Sequence, residues 1–528
     1  MKRGETKIAS WLNENIFFII SVLFVLSVPF SESFISITSG LIALQLFYPP
    51  YFKKYAARFV HDKSLWALMA VYLLFIIGYL FCDHPSEGLY ELRKNMFWVI
   101  IPPGMALTRK LTEKQFWIVV FLFVFAVSVG AVIASVKLLL FDKLQLDNVR
   151  DATYISNIIY SLQVVFSFFI LIYARLTKKP VFRNINWLVI VVWSVWLFVF
   201  LNIQKSLTGL VAFVFTAFVF LIWFIKQSKT KKSRMAGLFF IIALFIVPAG
   251  YISYVALNFY NVKDEMPSKT VKTENGNEYR FDFNNTMKEN GHFVYWYICD
   301  EELGKAWNSV SEYNIHDKND DGYIIYSTLI RYLTSKGLRK DSAGVAALSQ
   351  QDIKNIEHGF SNYIFYEKRF SLYPRVYETI WEIDKYITTN DPNNQSLSQR
   401  IEYTRAAIFI IKNNPLGVGT GNARPYYKEA YDELGSNLDE KFQYLAHNQY
   451  LTYMVRFGVP GFVVILLLLF YAVKSKDGFH IYALVLLLSV FGMAGFGENV
   501  LENHSGLSLF LFFLSLFLWH YPQKRISN

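Results

Sequence analysis

FWIVVFLFVFAVSVGAVIASVKLLLF, residues 116–141, runs for 26 residues with one charge, Lys137. About 20 consecutive apolar residues carry a helix across a bilayer. A stretch like this has no water-soluble way to be covered, and it decides the fold class: a membrane-embedded helical protein. The same ruler laid along the chain finds twelve candidate spans, roughly 15–30, 34–48, 64–82, 95–107, 116–141, 152–174, 184–201, 207–225, 236–258, 448–473, 479–494 and 506–520. The second and fourth are short, and Pro102-Pro103 predicts a kink or break in the fourth. The first follows Met1-Lys2-Arg3 without an A-x-A cleavage pattern and reads as a retained anchor.

Composition agrees. Of 528 residues, 54% are hydrophobic and only 18% charged, with 49 Phe, 34 Tyr and 12 Trp. Soluble domains carry roughly 25% charged residues. Disordered chains lack this apolar content, and two Cys exclude a disulfide scaffold or a Cys-based zinc cluster. The expected fold is an all-α polytopic membrane protein of about twelve transmembrane helices, with one large soluble insert.

Basic residues set the orientation. Sorted alternately along the chain, one set of loops and both termini hold 23 Lys and Arg, including Lys2, Arg3, Lys53, Lys54, Lys178 and Lys231. The opposite short loops hold five: Arg93, Lys94, Lys143, Arg150 and Lys205. Both termini are therefore expected in the cytoplasm and residues 259–446 outside. That outer segment has 22 basic and 27 acidic residues, a net −5, so the rest of the chain carries +16 and the whole +11. The positive charge reflects topology and attraction to anionic membrane lipids; no nucleic-acid-binding motif is visible. The expected organisation is 1–258 for helices one to nine, 259–446 for a periplasmic loop domain and 447–528 for the last three helices.

Within the insert, 321–338 and 344–382 read as mostly helical and 383–399 as a turn-rich connector. Ser398 is expected to cap a helix from about Arg400 to Asn413-Asn414, stopped by Pro415. The aromatics Trp296, Trp307 and Trp381 could stack on sugars, although at 18% aromatic overall most are expected in the core. Asp317-x-Asn319-x-Asp321-Gly322 begins like a calcium-binding loop, but position twelve is Thr328 and the bidentate carboxylate is missing, which favours a plain turn. Cys82 and Cys299 both fall outside and could pair, though nothing in the sequence sets their distance. His292, His316, His358 and His504 show no metal-ligand spacing, so no metal is expected.

Ala446-His447-Asn448 stands at the outer end of the tenth span. At 100° per residue, Gly458 and Gly461 return to the face of His447, and they are expected to let another helix approach below it. Pro460 should bend the helix. A histidine there, with an unperturbed pKa of ~6.5, is a candidate general base, the alternative being a plain interfacial histidine. Gly417-x-Gly419-x-Gly421 could cradle phosphate on backbone N–H groups or form a tight turn. Glu498 and Glu502 are expected to share a helical face near the outside, where they could contact an acceptor.

The stretch His447-Asn448, nine residues, then Gly458-Val459-Pro460-Gly461 resembles the signature of the O-antigen ligase and polymerase superfamily. Arg400 followed by Asn414-Pro415-Leu416-Gly417-Val418-Gly419-Thr420-Gly421 is similar to the arginine, helix and P-L-G-x-G segment before that family's histidine. Span count, cytoplasmic termini and the large outer loop match as well. The resemblance implies a GT-C-like glycosyltransferase of the bacterial inner membrane, independent of metal and cofactor. Such an enzyme moves a glycan from undecaprenyl pyrophosphate to an acceptor at the periplasmic face, with His447 deprotonating or orienting the acceptor hydroxyl.

The lipid pyrophosphate then calls for arginine, whose guanidinium is always charged and grips phosphate with two N–H groups. Arg400 matches the family's loop arginine; Arg405, five residues on, points elsewhere. Arg150, followed by Asn157, resembles an arginine common before the sixth span, the alternative being a helix anchor paired with Asp151. Lys205-Ser206-Leu207-Thr208-Gly209 departs from the family's S-R-T-G: Leu207 replaces the arginine, and Lys205 is the substitute phosphate contact. The expected activity is O-antigen ligation to the lipid A core. A polymerase extending a growing glycan and a protein O-oligosaccharyltransferase share the donor half of such a site. A lipid-linked glycan transporter is the non-enzyme alternative, disfavoured because no repeat is visible and the polar residues gather at the outer interface.

Overall fold

The computed structural model describes residues 7–47, 57–140, 151–267, 271–319 and 322–522. Each of the twelve apolar segments forms a helix. They are α1 (Lys7–Ser27), α2 (Glu32–Leu44), α3 (Lys63–Leu80), then, after a short polar helix α4 (Pro85–Asn95), α5 (Phe97–Ala106), α6 (Glu113–Leu140), α7 (Asn157–Leu176), α8 (Trp187–Ile203), α9 (Leu207–Gln227) and α10 (Lys231–Tyr260). Among the described residues six helices, α3, α6, α7, α9, α10 and one near the C-terminus, are long and apolar enough to cross a membrane by length and composition. The Pro102-Pro103 segment is a helix of 10 residues with both prolines inside it, shorter than the span expected there and not broken.

The contacts divide the chain into two compact units, residues 1–244 with 399–528, and residues 245–398. The second unit holds a β-hairpin, β1 (Lys288–Glu289) and β2 (His292–Phe293), and a series of short helices: α11 (Asp300–Asn308), α12 (Ile325–Ser335), α13 (Ser342–Ala346), α14 (Gln350–Glu357), α15 (Ile364–Glu367) and α16 (Tyr373–Thr389). Val294, Leu303, Trp307, Leu329 and Leu333 pack its core. The expected helices over 321–338 and 344–382 are broken into these pieces at capped turns. Ser349, for example, forms a capping box with Asp352. Residues 383–389 are helical rather than a connector: α16 runs on until Asn390, in the left-handed region at φ 51 with its N–H on Tyr386 O, ends it. Asp317 and Asn319 serve local turns, while position 321 lies outside the described residues. Cys82 and Cys299 are both free.

The chain then continues through α17 (Ser396–Asn413), α18 (Ala423–Glu433), α19 (Gln449–Lys474), α20 (Tyr482–Ala494) and α21 (His504–His520). α17 begins at Ser396, so Ser398 lies inside it rather than at its cap, and it stops before Pro415 as expected. α21 is apolar all round, and every residue from Ser505 to His520 is buried, as expected of a helix surrounded by others. It packs on α2, α5 and α20, while α3 packs on α19 and α9 on α20. One polar clamp closes an end of this bundle: Asp62 caps α3 and accepts from Lys476 Nζ and Trp519 Nε1, both at 2.8 Å.

Candidate active site

The His447 region is built by a helix start, a helix break and two turns. Asn448 is the N-cap of α19: its Oδ1 accepts from the N–H of Tyr450 and of Leu451, at 3.0 and 3.1 Å, while its Nδ2 donates to Phe496 O at 3.0 Å. His447 therefore precedes the helix, so the shared face expected from its spacing to Gly458 and Gly461 is not formed. The cap also explains the Asn beside the histidine, since it fixes the helix start and holds the turn at 495–503.

That turn is fastened at several further points. Gln449 N donates to Gly495 O at 2.8 Å and Leu501 N to Gln449 Oε1 at 2.8 Å. Thr452 Oγ1 donates to Asn499 Oδ1 at 2.9 Å, and Asn499 Nδ2 to Ala446 O at 2.6 Å. Glu498 and Glu502 are thus held on an irregular turn, not on a common helix face, and each meets a different cation.

Glu498 joins the two residues that the sequence singles out. Its Oε2 lies 3.1 Å from His447 Nδ1, and its Oε1 pairs with Arg400 Nη2. Arg400 Nη1 donates to Gly497 O, which fixes the guanidinium against the same turn. Tyr403, one turn along α17, stacks on the imidazole at 5.6 Å between centroids and 29° between planes. Glu498 is 12% exposed, Arg400 30% and His447 39%, so the carboxylate is the buried centre and the histidine the open end. Burial by itself would raise the Glu498 carboxyl, but the His447 hydrogen bond and the Arg400 charge outweigh it and the net shift is downward. An ionised carboxylate only accepts, so His447 Nδ1 must carry the proton and a neutral ring presents its lone pair at Nε2.

A second cluster adjoins the same turn. Glu502 Oε2 accepts from Arg456 Nη1 and lies 2.8 Å from Lys94 Nζ, and Glu91 completes the group at 3.1 Å from Arg456 and 2.8 Å from Lys94. Burial pushes the Glu502 carboxyl up, and Arg456 with Lys94 overcomes this and lowers it. Two cations and two carboxylates balance here, which permits the burial of Arg456 at 3% exposure.

The glycine-rich loop is spent on the fold. Val418 N donates to Val455 O, Gly419 N to Arg456 O and Thr420 N to Gly78 O, so these N–H groups do not cradle a phosphate. Gly458 interrupts α19 with φ 69 and ψ 175. A Cβ there would lie 2.4 Å from Pro415 O, so it is this loop, not another helix, that approaches Gly458. A Cβ on Gly461 would meet only Phe457 of its own helix. Gly458→Ala is expected to lower stability by at least about 1–3 kcal/mol, the cost of a backbone region open essentially to Gly, plus the overlap. It should appear as a clear drop in the thermal midpoint of purified protein, with Gly461→Ala milder.

Arg150 lies outside the described residues. Lys205 is 7% exposed, in the turn between α8 and α9. A Cβ on Gly497 would lie 3.5 Å from Thr208 Oγ1, which brings the start of α9 beside the Glu498 turn. Arg405 takes Glu402 at 2.6 Å instead of joining Arg400. Among the described residues no group of three or more His, Cys, Asp or Glu is placed to hold a metal ion. Sequence reasoning missed Glu498 as the link between His447 and Arg400. The available signal was two carboxylates in a short turn between apolar helices.

Fold and site define a class: a helical membrane protein with a histidine, a carboxylate and an arginine assembled where helices end. Residues 356–466 match the family model for O-Antigen ligase, which bears out the resemblance read from Arg400, the glycine loop, His447 and Gly458. The match supports, in general terms, a function like that of O-antigen ligases and polymerases. The matched stretch ends before Glu498. No curated protein matches the chain.

Proposed function

We propose that the protein transfers a glycan from undecaprenyl pyrophosphate to an acceptor hydroxyl at the outer face of the bacterial inner membrane, the acceptor being the lipid A core. The observation that carries this reading is the shared carboxylate: Glu498 orients His447 and fixes Arg400 at once. The acceptor oxygen attacks the anomeric carbon as its proton passes to His447 Nε2. The bond from that carbon to the phosphate oxygen breaks, and the lipid pyrophosphate leaves with the electron pair. Arg400 uses two of its five N–H donors on Gly497 O and Glu498, and the remainder can meet the pyrophosphate. Arg150 and Lys205 are proposed as further phosphate contacts, and no metal is required.

Arg400→Lys keeps a charge but loses the planar fork. Donor affinity and transfer should both fall, by about tenfold or more at about 1.5–3 kcal/mol per lost charge-assisted hydrogen bond. Titration with lipid pyrophosphate alongside a transfer assay checks this. Deleting the gene and separating envelope glycans on a gel tests the acceptor: loss of all capped lipid A supports ligation, whereas a change in chain length alone assigns a polymerase.

The proposed topology has twelve spans with both termini inside. In a Cys82→Ser, Cys299→Ser background, a cysteine at position 305 should react with an impermeant reagent in intact spheroplasts. One at position 231 should not, and the reverse result contradicts the orientation.

A further inference from the structure

A cavity in the second unit lies apart from His447 in the chain and has no part in the chemistry above. It has a volume of about 300 Å³ and opens between the 282–288 segment and the C-terminal half of α16. That is the lower end of the volumes that hold small ligands. Trp381 and Met287 give it an apolar wall, and Asp282, Asn284, Asn285 and Thr388 supply polar edges.

The polar groups are mixed donors and acceptors, and several have capacity left. Asp282 Oδ1 accepts from Asn284 N at 3.1 Å, which leaves its second oxygen. Asn285 Oδ1 accepts from Met287 N at 3.1 Å, which leaves its NH2 group. The Asn284 side chain is exposed. The charges cancel, because two lysines face two aspartates. Neither lysine is set up for an anion: Lys385 Nζ is bound to Asp391 at 2.9 Å, and Lys288 Nζ sits over Tyr260 at 5.1 Å. The guanidinium of Arg331 lies 4.4 Å from the Trp381 ring centroid and holds that ring in place.

A phosphate would meet the aspartates, and an apolar ligand would strand the amides. A ligand with an apolar face and a rim of hydroxyls satisfies both walls. We propose that this cavity is a saccharide subsite, taking an uncharged sugar residue whose C–H face lies on Trp381 and whose hydroxyls bond to Asp282, Asn284 and Asn285. This rests on the proposed function, for which it would hold a sugar residue of a glycan substrate.

The test uses the full-length purified protein and the delipidated glycan released by mild acid from the producing cell's own envelope. Binding is read by tryptophan fluorescence or calorimetry, with inorganic phosphate as control. Trp381→Ala and the rim variant Asn284→Ala/Asn285→Ala should each weaken glycan binding about tenfold. They should also raise KM for the glycan substrate with kcat unchanged, and phosphate should not compete. The rim variant guards against misfolding of Trp381→Ala, because Asn284 is exposed and Asn285 only partly buried. Unchanged binding and KM in the well-folded rim variant would overturn the subsite while leaving the transferase reading intact. Pocket-dependent binding in a protein that transfers no glycan would do the opposite.

Discussion

Replacing His447 with alanine should cut transfer by about 10²–10⁴-fold, the usual worth of a positioned general base, while lipid-pyrophosphate binding survives. The separation follows from the geometry. Arg400 is held by Gly497 O and by one oxygen of Glu498, whereas His447 engages the other oxygen. Removing the imidazole leaves the arginine's supports in place and deletes the proposed proton acceptor. Asn448 still caps α19, so the helix start persists. A loss of less than tenfold in folded protein means that His447 is not a base.

Glu498→Gln should be equally damaging, although it changes only one atom type. An amide offers one oxygen and one NH2 group. With its oxygen toward Arg400, it turns the NH2 toward His447 Nδ1, which must then accept. The ring proton moves to Nε2, and the base is lost. With the amide reversed, Arg400 faces N–H donors and loses its counter-charge. Either way transfer should fall by about 10²–10⁴-fold, as where the carboxylate behind a catalytic histidine is neutralised. Glu498→Asp keeps the charge on a shorter arm and should retain more activity than Glu498→Gln. Transfer rates at saturating donor, with the elution profile checked for folding, read this out.

The helices were legible because a bilayer imposes a length and an apolar composition that any twenty-residue window reveals. α6 and α10 show this most plainly. Arg400 and His447 were legible through a motif, and the structure brings them onto one carboxylate although they lie 47 positions apart. Glu498 was not legible as their partner. It is 51 positions from His447, and the contact depends on how the 495–503 turn folds against the start of α19. Local periodicity carries no information about such a return. The role of Gly458 was misread for a related reason. Counting 100° per residue presumes an unbroken helix, whereas α19 begins after His447 and is interrupted at Gly458, where the 415–419 loop packs. The short helices of the second unit were blurred together because their caps, such as Ser349 with Asp352, are local hydrogen bonds that apolar spacing does not report.

In the proposed mechanism Glu498 acts on the acceptor proton through His447. A double-mutant cycle of His447→Ala and Glu498→Gln, measured as kcat at saturating donor, tests it most directly. If the carboxylate works through the imidazole, the double variant should be no more than about threefold slower than His447→Ala alone, a coupling close to the whole effect of either change. Losses that multiply, so that the double variant is slower by the product of the two single losses, would show that the two residues act independently and would contradict the assignment.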